Sequence, residues 1–74
     1  MIDLKRTGAE IRRNRHWHDL TQKEIGVKLG VTEDAVCRWE RGHCLPRTET
    51  LLKLADLLNV YVEDLVKFKE EKND

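Results

Sequence analysis

Leu20-Thr21-Gln22-Lys23-Glu24-Ile25-Gly26-Val27-Lys28-Leu29-Gly30-Val31-Thr32-Glu33-Asp34-Ala35-Val36-Cys37-Arg38-Trp39-Glu40-Arg41-Gly42 encodes two short helices and the turn between them. Thr21 and Glu24 have capping-box spacing: the Thr hydroxyl can accept from the third helical amide while the Glu carboxylate reaches back to the cap. Leu20 before the cap and Ile25 after it are spaced as a hydrophobic staple. Gly30 ends the first helix, since glycine enters the left-handed conformation without a Cβ penalty. Thr32 caps the second helix, and Glu33 and Asp34 place carboxylates in its first turn, where the helix dipole favours them. Ala35, Val36 and Trp39 are its apolar positions, and it ends near Arg41, before Gly42. Residues 21–29 and 32–41 are therefore predicted helices joined by a very short Gly-containing turn, the pattern of a helix-turn-helix.

Working outward, the flanks are helical too. Residues 3–16 put Leu4 and Ile11 on one face and a run of Lys5, Arg6, Arg12, Arg13 and Arg15 elsewhere. Gly42-His43-Cys44-Leu45-Pro46 reads as a loop. Residues 48–58 place Leu51, Leu54, Ala55 and Leu58 at core spacing. Residues 62–69 form an expected fifth helix anchored by Leu65 and Phe68, and residues 70–74 a charged tail. No stretch alternates apolar and polar residues over a strand's length. The expectation is an all-α, compact five-helix single domain over residues 1–74.

Composition excludes several classes. A chain of 74 residues builds a thin core with little room for a deep substrate pocket. No apolar run approaches a membrane span. The start Met1–Glu10 is polar and charged, which sets a cytoplasmic location as the expectation. No acid/base pair, partnered nucleophile or phosphate loop is visible, so no enzyme activity, cofactor or small-molecule effector site is expected. Cys37, Cys44, His16, His18 and His43 are soft or borderline ligands, but none stands in a CxxC or HExxH pattern. Free thiols and no metal are expected.

Fourteen Lys and Arg balance fourteen Asp and Glu, for a formal net charge of zero. That balance lacks the usual basic footprint of a nucleic-acid partner. The distribution is uneven, however. Residues 1–50 hold ten basic and eight acidic side chains, and residues 51–74 hold four and six.

The full string is more specific than its periodicity. Ile11-Arg12-Arg13-Asn14-Arg15, Leu20-Thr21-Gln22-Lys23-Glu24-Ile25, Leu29-Gly30-Val31-Thr32, Trp39-Glu40-Arg41-Gly42, Pro46 and Leu51-Leu52-Lys53-Leu54-Ala55 fall in one register over about residues 4–66. This resembles the Cro/CI-like helix-turn-helix family, also called the xenobiotic-response-element (XRE) family, of bacteria and phages. The resemblance implies a lambda-repressor-like fold and a DNA-binding transcriptional regulator of repressor type. The helix at 32–41 would enter the major groove and the helix at 21–29 would cross the backbone. It implies DNA contacts from Thr32, Glu33, Asp34, Cys37 and Arg38, a phosphate contact from Gln22, and further backbone contacts from Arg41, His43 and Arg47. It also implies a structural ion pair between Arg15 and Glu40.

Arg38 suits a bidentate contact to guanine O6/N7, with a surface pair to Asp34 at i, i+4 as the alternative. The partner would be double-stranded DNA carrying a roughly palindromic operator, bound by a homodimer. Its dimer surface would use the C-terminal helix, where Tyr61, Val62, Val66 and Phe68 exceed what a small core absorbs. An antitoxin-like or accessory protein-binding module with weak or no DNA binding is the alternative, favoured by Glu33-Asp34 and the zero net charge. Three departures stand out. Gly26 replaces the family's usual Ala, at a helix-propensity cost of about 1 kcal/mol. Tyr61 replaces a Ser or Thr cap. Two carboxylates open the recognition helix.

Overall fold

In a computed structural model describing residues 1–70, five helices fold around one core: α1 (Leu4–Trp17), α2 (Gln22–Leu29), α3 (Glu33–Glu40), α4 (Thr48–Leu57) and α5 (Val62–Leu65). The expected charged tail beyond Glu70 lies outside the described residues. Caps account for most of the helix starts. Asp3 accepts from the Arg6 amide at 3.0 Å, so α1 begins one residue later than its sequence reading. Thr21 and Glu24 make both arms of the capping box, each at 3.0 Å. Thr32 accepts from the Ala35 amide at 3.0 Å. Gly30 closes α2 at φ 71°, the left-handed conformation that favours glycine.

The core is built from Ile11, Ile25, Val36, Trp39, Leu54, Ala55, Leu58 and Leu65. The segments of all five helices contribute to it, and the sequence reading names each member, Ile25 through its staple spacing with Leu20 and the others as apolar positions of their helices. The α2–α3 and α1–α3 pairs have the most extensive contacts. Two glycines permit that closeness. A Cβ on Gly8 of α1 would strike the backbone carbonyl oxygens of Trp39 and Glu40. A Cβ on Gly26 of α2 would lie 2.7 Å from the Val31 carbonyl oxygen. Glycine at position 26 is thus a fit to this chain's tight turn, beyond the simple loss of helix propensity.

The C-terminal region corrects the sequence reading. The fifth helix is a single turn, Val62–Leu65, and does not reach Lys69. Val66 turns extended, at ψ 117°. Residues 67–69 then run antiparallel to the N-terminus. The Asp3 amide donates to the Lys67 carbonyl at 2.7 Å and the Lys69 amide to the Met1 carbonyl at 2.9 Å, around an isolated Ile2–Phe68 bridge. The Lys67 amide donates to the buried Thr7 hydroxyl at 2.9 Å. These bonds, made across some sixty residues of sequence, outcompete another helical turn. Phe68 consequently stands 61% exposed and is not a core anchor, whereas Leu65 is fully buried. The weak cap expected at Tyr61 is relieved from the other side, because Asp64 accepts from the Tyr61 amide at 2.8 Å. No helix among the described residues is long and apolar enough to cross a membrane.

Candidate nucleic-acid interface

The burial pattern of α3 divides the helix into two faces. Val36 and Trp39 face the core. Thr32, Glu33, Asp34 and Arg38 are exposed, and Cys37 is half-buried between the two faces. The outward face of α3 is therefore polar and unobstructed. Asp34 and Arg38 meet one turn apart at 3.0 Å, with side chains 71% and 62% exposed. A pair this exposed is worth a few tenths of a kcal/mol, so Arg38 can exchange Asp34 for another acceptor at little cost. The same pair gives Asp34 a local partner, leaving Glu33 as the uncompensated carboxylate at the mouth of α3.

Behind that face lies a rigid joint. Arg15 of α1 donates from Nε to Glu40 Oε2 at 2.7 Å and from Nη2 to Glu40 Oε1 at 2.9 Å. Its Nη1 donates to the Leu20 carbonyl at 2.9 Å. The Glu40 carboxylate holds the Arg15 guanidinium above its already basic value. The Glu40 side chain is only 3% exposed. Its Oε1 also accepts from Gln22 Nε2 at 3.1 Å. Gln22, assigned a phosphate contact by resemblance, is thus half-buried and tethered to the end of α3. Its tether orients the start of α2 relative to α3, a role that its position at the head of a helix did not reveal.

Arg41 and His43 are exposed at the end of α3 and in the loop after it. Gly42 between them adopts φ 78° and packs on Lys5. Arg47 is exposed at the start of α4 and makes no side-chain capping bond. Cys37 and Cys44 are free thiols. Among the described residues no three His, Cys, Asp or Glu side chains converge as a metal site would require.

A helix-turn-helix domain profile matches residues 6–67. The chain belongs to the helix-turn-helix family. It is 37% identical over 60 residues to the immF control region 10 kDa protein of Bacillus phage phi105, covering 81% of this chain and 67% of that protein. Among solved structures it resembles the P22 c2 repressor bound to a synthetic operator, with TM-score 0.77 and 32% identity over 80% of this chain and 89% of that one. It also resembles the restriction-modification controller protein C.AhdI of Aeromonas hydrophila, with TM-score 0.78 and 28% identity over 85% and 96% of the two chains. Over the matched residues these neighbours share the fold in which Arg15, Gln22 and Glu40 here join the two motif helices to α1.

Two further features of this helix-turn-helix domain had no sequence signal. Gly8 lets α1 rest directly on the carbonyl end of α3. Arg12 and His16, one turn apart on α1, line a shared cleft with Gln22, Cys37 and Arg41. Their convergence depends on the path of the chain, which no local spacing encodes.

Proposed function

We propose that the protein is a sequence-specific DNA-binding transcriptional regulator of repressor type, placing α3 in the major groove and α2 across the phosphate backbone. The observation that carries this reading is the exposed polar face of α3, held by the Arg15–Glu40–Gln22 joint. The operator-bound P22 c2 repressor, similar over most of both chains, supports it. Arg38 is the base-reading side chain, taking guanine O6/N7 in place of Asp34. Glu33 and Asp34 limit the acceptable bases, since a carboxylate accepts from cytosine N4 and repels phosphate. Thr32, Gln22, Arg41, His43 and Arg47 flank this helix as backbone contacts, with Cys37 at its inner edge.

The operator is roughly palindromic and the bound species a homodimer, with half-sites about one helical turn apart. The dimer surface uses the exposed Tyr61 and Phe68 at the C-terminal end of the domain. Val62 and Val66, expected in that surface, are half-buried against the domain itself and contribute less.

Titration with random-sequence duplex at low salt tests the reading. A DNA binder shows weak affinity that falls with salt at a slope set by the number of phosphates contacted. No binding even at about 10 mM salt would instead support a protein-binding module of antitoxin-like or accessory type. The exposed Glu33 favours that second reading.

A further inference from the structure

Two clefts adjoin at the junction of α4 and α5, where they share Asn59 and Val60. The first encloses about 360 Å3 against the end of α1 and takes in Arg13, Trp17 and His18. The second encloses about 310 Å3 against the start of α5 and takes in Asp56, Tyr61 and Asp64. Their charges are opposite. No carboxylate lines the first cleft, and no cationic side chain lines the second. Each is flanked by an exposed aromatic ring, Trp17 at 83% exposure beside the first and Tyr61 at 74% beside the second.

These charges are open to a partner. Arg13 spends Nε and Nη2 on Glu10 Oε2, at 3.2 and 2.7 Å, and keeps Nη1. Its side chain is 73% exposed, so that local pair holds it weakly. Asp56 forms no ion pair among the described residues. Asp64 gives Oδ2 to the Tyr61 amide at 2.8 Å and keeps Oδ1. The wall between the helices is fixed, since His18 Nε2 lies 2.7 Å from the Leu58 carbonyl oxygen and pins the end of α1 to the end of α4.

A two-fold axis at Asn59 and Val60 would lay the basic cleft of one copy on the acidic cleft of the other, twice over. An isologous contact pairs residue i with j and j with i. A foreign partner would have to reproduce this alternation of charge, whereas a second copy of the chain already carries it. We propose that the two clefts form a self-complementary contact between copies of this chain, with Arg13 and Trp17 of each seated against Asp56, Tyr61 and Asp64 of the other. The inference rests on the homodimer reading above and adds the end of α1 to its surface. Trp, Tyr and Arg are the side chains that most often carry such contacts. Because the charges are exposed, association weakens as salt rises.

Sedimentation equilibrium at low salt tests this, on the unmodified protein, Arg13→Glu, Asp56→Lys and an equimolar mixture of the two variants. Both positions are exposed, and circular dichroism confirms that each variant is folded. Either variant alone opposes like charges at both contacts and should self-associate about tenfold more weakly, the scale of two exposed ion pairs lost together. The mixture should recover the association, because each mixed pair again opposes unlike charges at both contacts. Iodide should reach Trp17 in dilute protein and be excluded from it as the dimer forms. If the single variants associate as the unmodified protein does, or if the mixture fails to recover, the inference is overturned. The homodimer reading then stands on the rest of its surface, where Phe68→Ala weakens association. If the unmodified protein is a monomer at about 1 mM, both alone and on duplex DNA, the homodimer reading is overturned and this inference with it.

Discussion

Arg15 and Glu40 face each other in two parallel hydrogen bonds, 2.7 Å from Nε to Oε2 and 2.9 Å from Nη2 to Oε1. They tie α1 to the last turn of α3 in a place that is nearly dry, with side-chain exposures of 12% and 3%. Removing one partner of such a pair leaves an uncompensated charge. Arg15→Ala should therefore lower unfolding free energy by about 3 kcal/mol, read by urea denaturation. The double variant Arg15→Met with Glu40→Leu should recover much of that loss, because well-packed apolar residues often replace a buried pair without penalty. A double variant as unstable as the single one would show that packing rather than charge is at stake.

Substitution of either packed glycine should destabilise, although alanine is the better helix former by about 1 kcal/mol. A Cβ at position 8 would lie 2.6 Å from the Glu40 carbonyl oxygen, and one at position 26 would lie 2.7 Å from that of Val31. Backbone must move in both cases, at a cost of about 1–3 kcal/mol. Thermal unfolding of Gly8→Ala and Gly26→Ala should show lower midpoints, and an unchanged or raised midpoint would contradict the close approach.

The two tryptophans should behave as opposites. Trp39 is 5% exposed in the core and Trp17 is 83% exposed at the end of α1. Trp39→Ala should cost about 3–5 kcal/mol, most of what a domain of this size has to lose. Trp17→Ala should stay within about 0.5 kcal/mol. Iodide should quench the Trp17 fluorescence and leave that of Trp39 largely intact.

The capping box carries a pH dependence. The Thr21 backbone amide, aided by its hydroxyl, holds the Glu24 carboxyl below its ordinary value of 4.5. The unfolded chain therefore binds this proton more readily than the folded one, and stability rises with pH across that interval. The contribution is complete above the ordinary value and is lost as pH falls through the lower folded value. Between about pH 6 and about pH 3, Glu24→Gln should lose less stability than the unmodified protein. Thr21→Ala should cost about 1 kcal/mol at neutral pH.

Arg38→Ala should separate folding from recognition. Its exposed pair with Asp34 contributes less than about 0.5 kcal/mol to folding, so the urea midpoint should hardly move. Selection of operators from a random library should instead relax at one base position, with a loss of about 1–3 kcal/mol on the original site. Uniform weakening across all sequences would make Arg38 a phosphate contact.

Much of this was legible from residues alone. Thr21 with Glu24, Thr32, and Gly30 mark their helix ends within one turn of chain, so neighbouring residues suffice to read them. Val36, Trp39, Leu54 and Leu65 declared the core as apolar positions of their helices, and Ile25 through its staple spacing with Leu20. The Arg15–Glu40 pair was available only through resemblance to a family, because twenty-five residues separate the partners.

The sequence by itself determined the five helical segments, the caps of α2 and α3, most of the core faces and the family, since each follows from interactions between near neighbours or from a long string in register. Only the tertiary structure decided where α5 stops, because the Lys67 amide finds Thr7 and the Asp3 amide finds Lys67 across the whole chain. The same holds for the space denied to a side chain at Gly8, the tether of Gln22 to Glu40, and the meeting of Arg12, His16 and Arg41 in one cleft. Such contacts depend on how α1 crosses α3, a geometry set by the packing of the entire core.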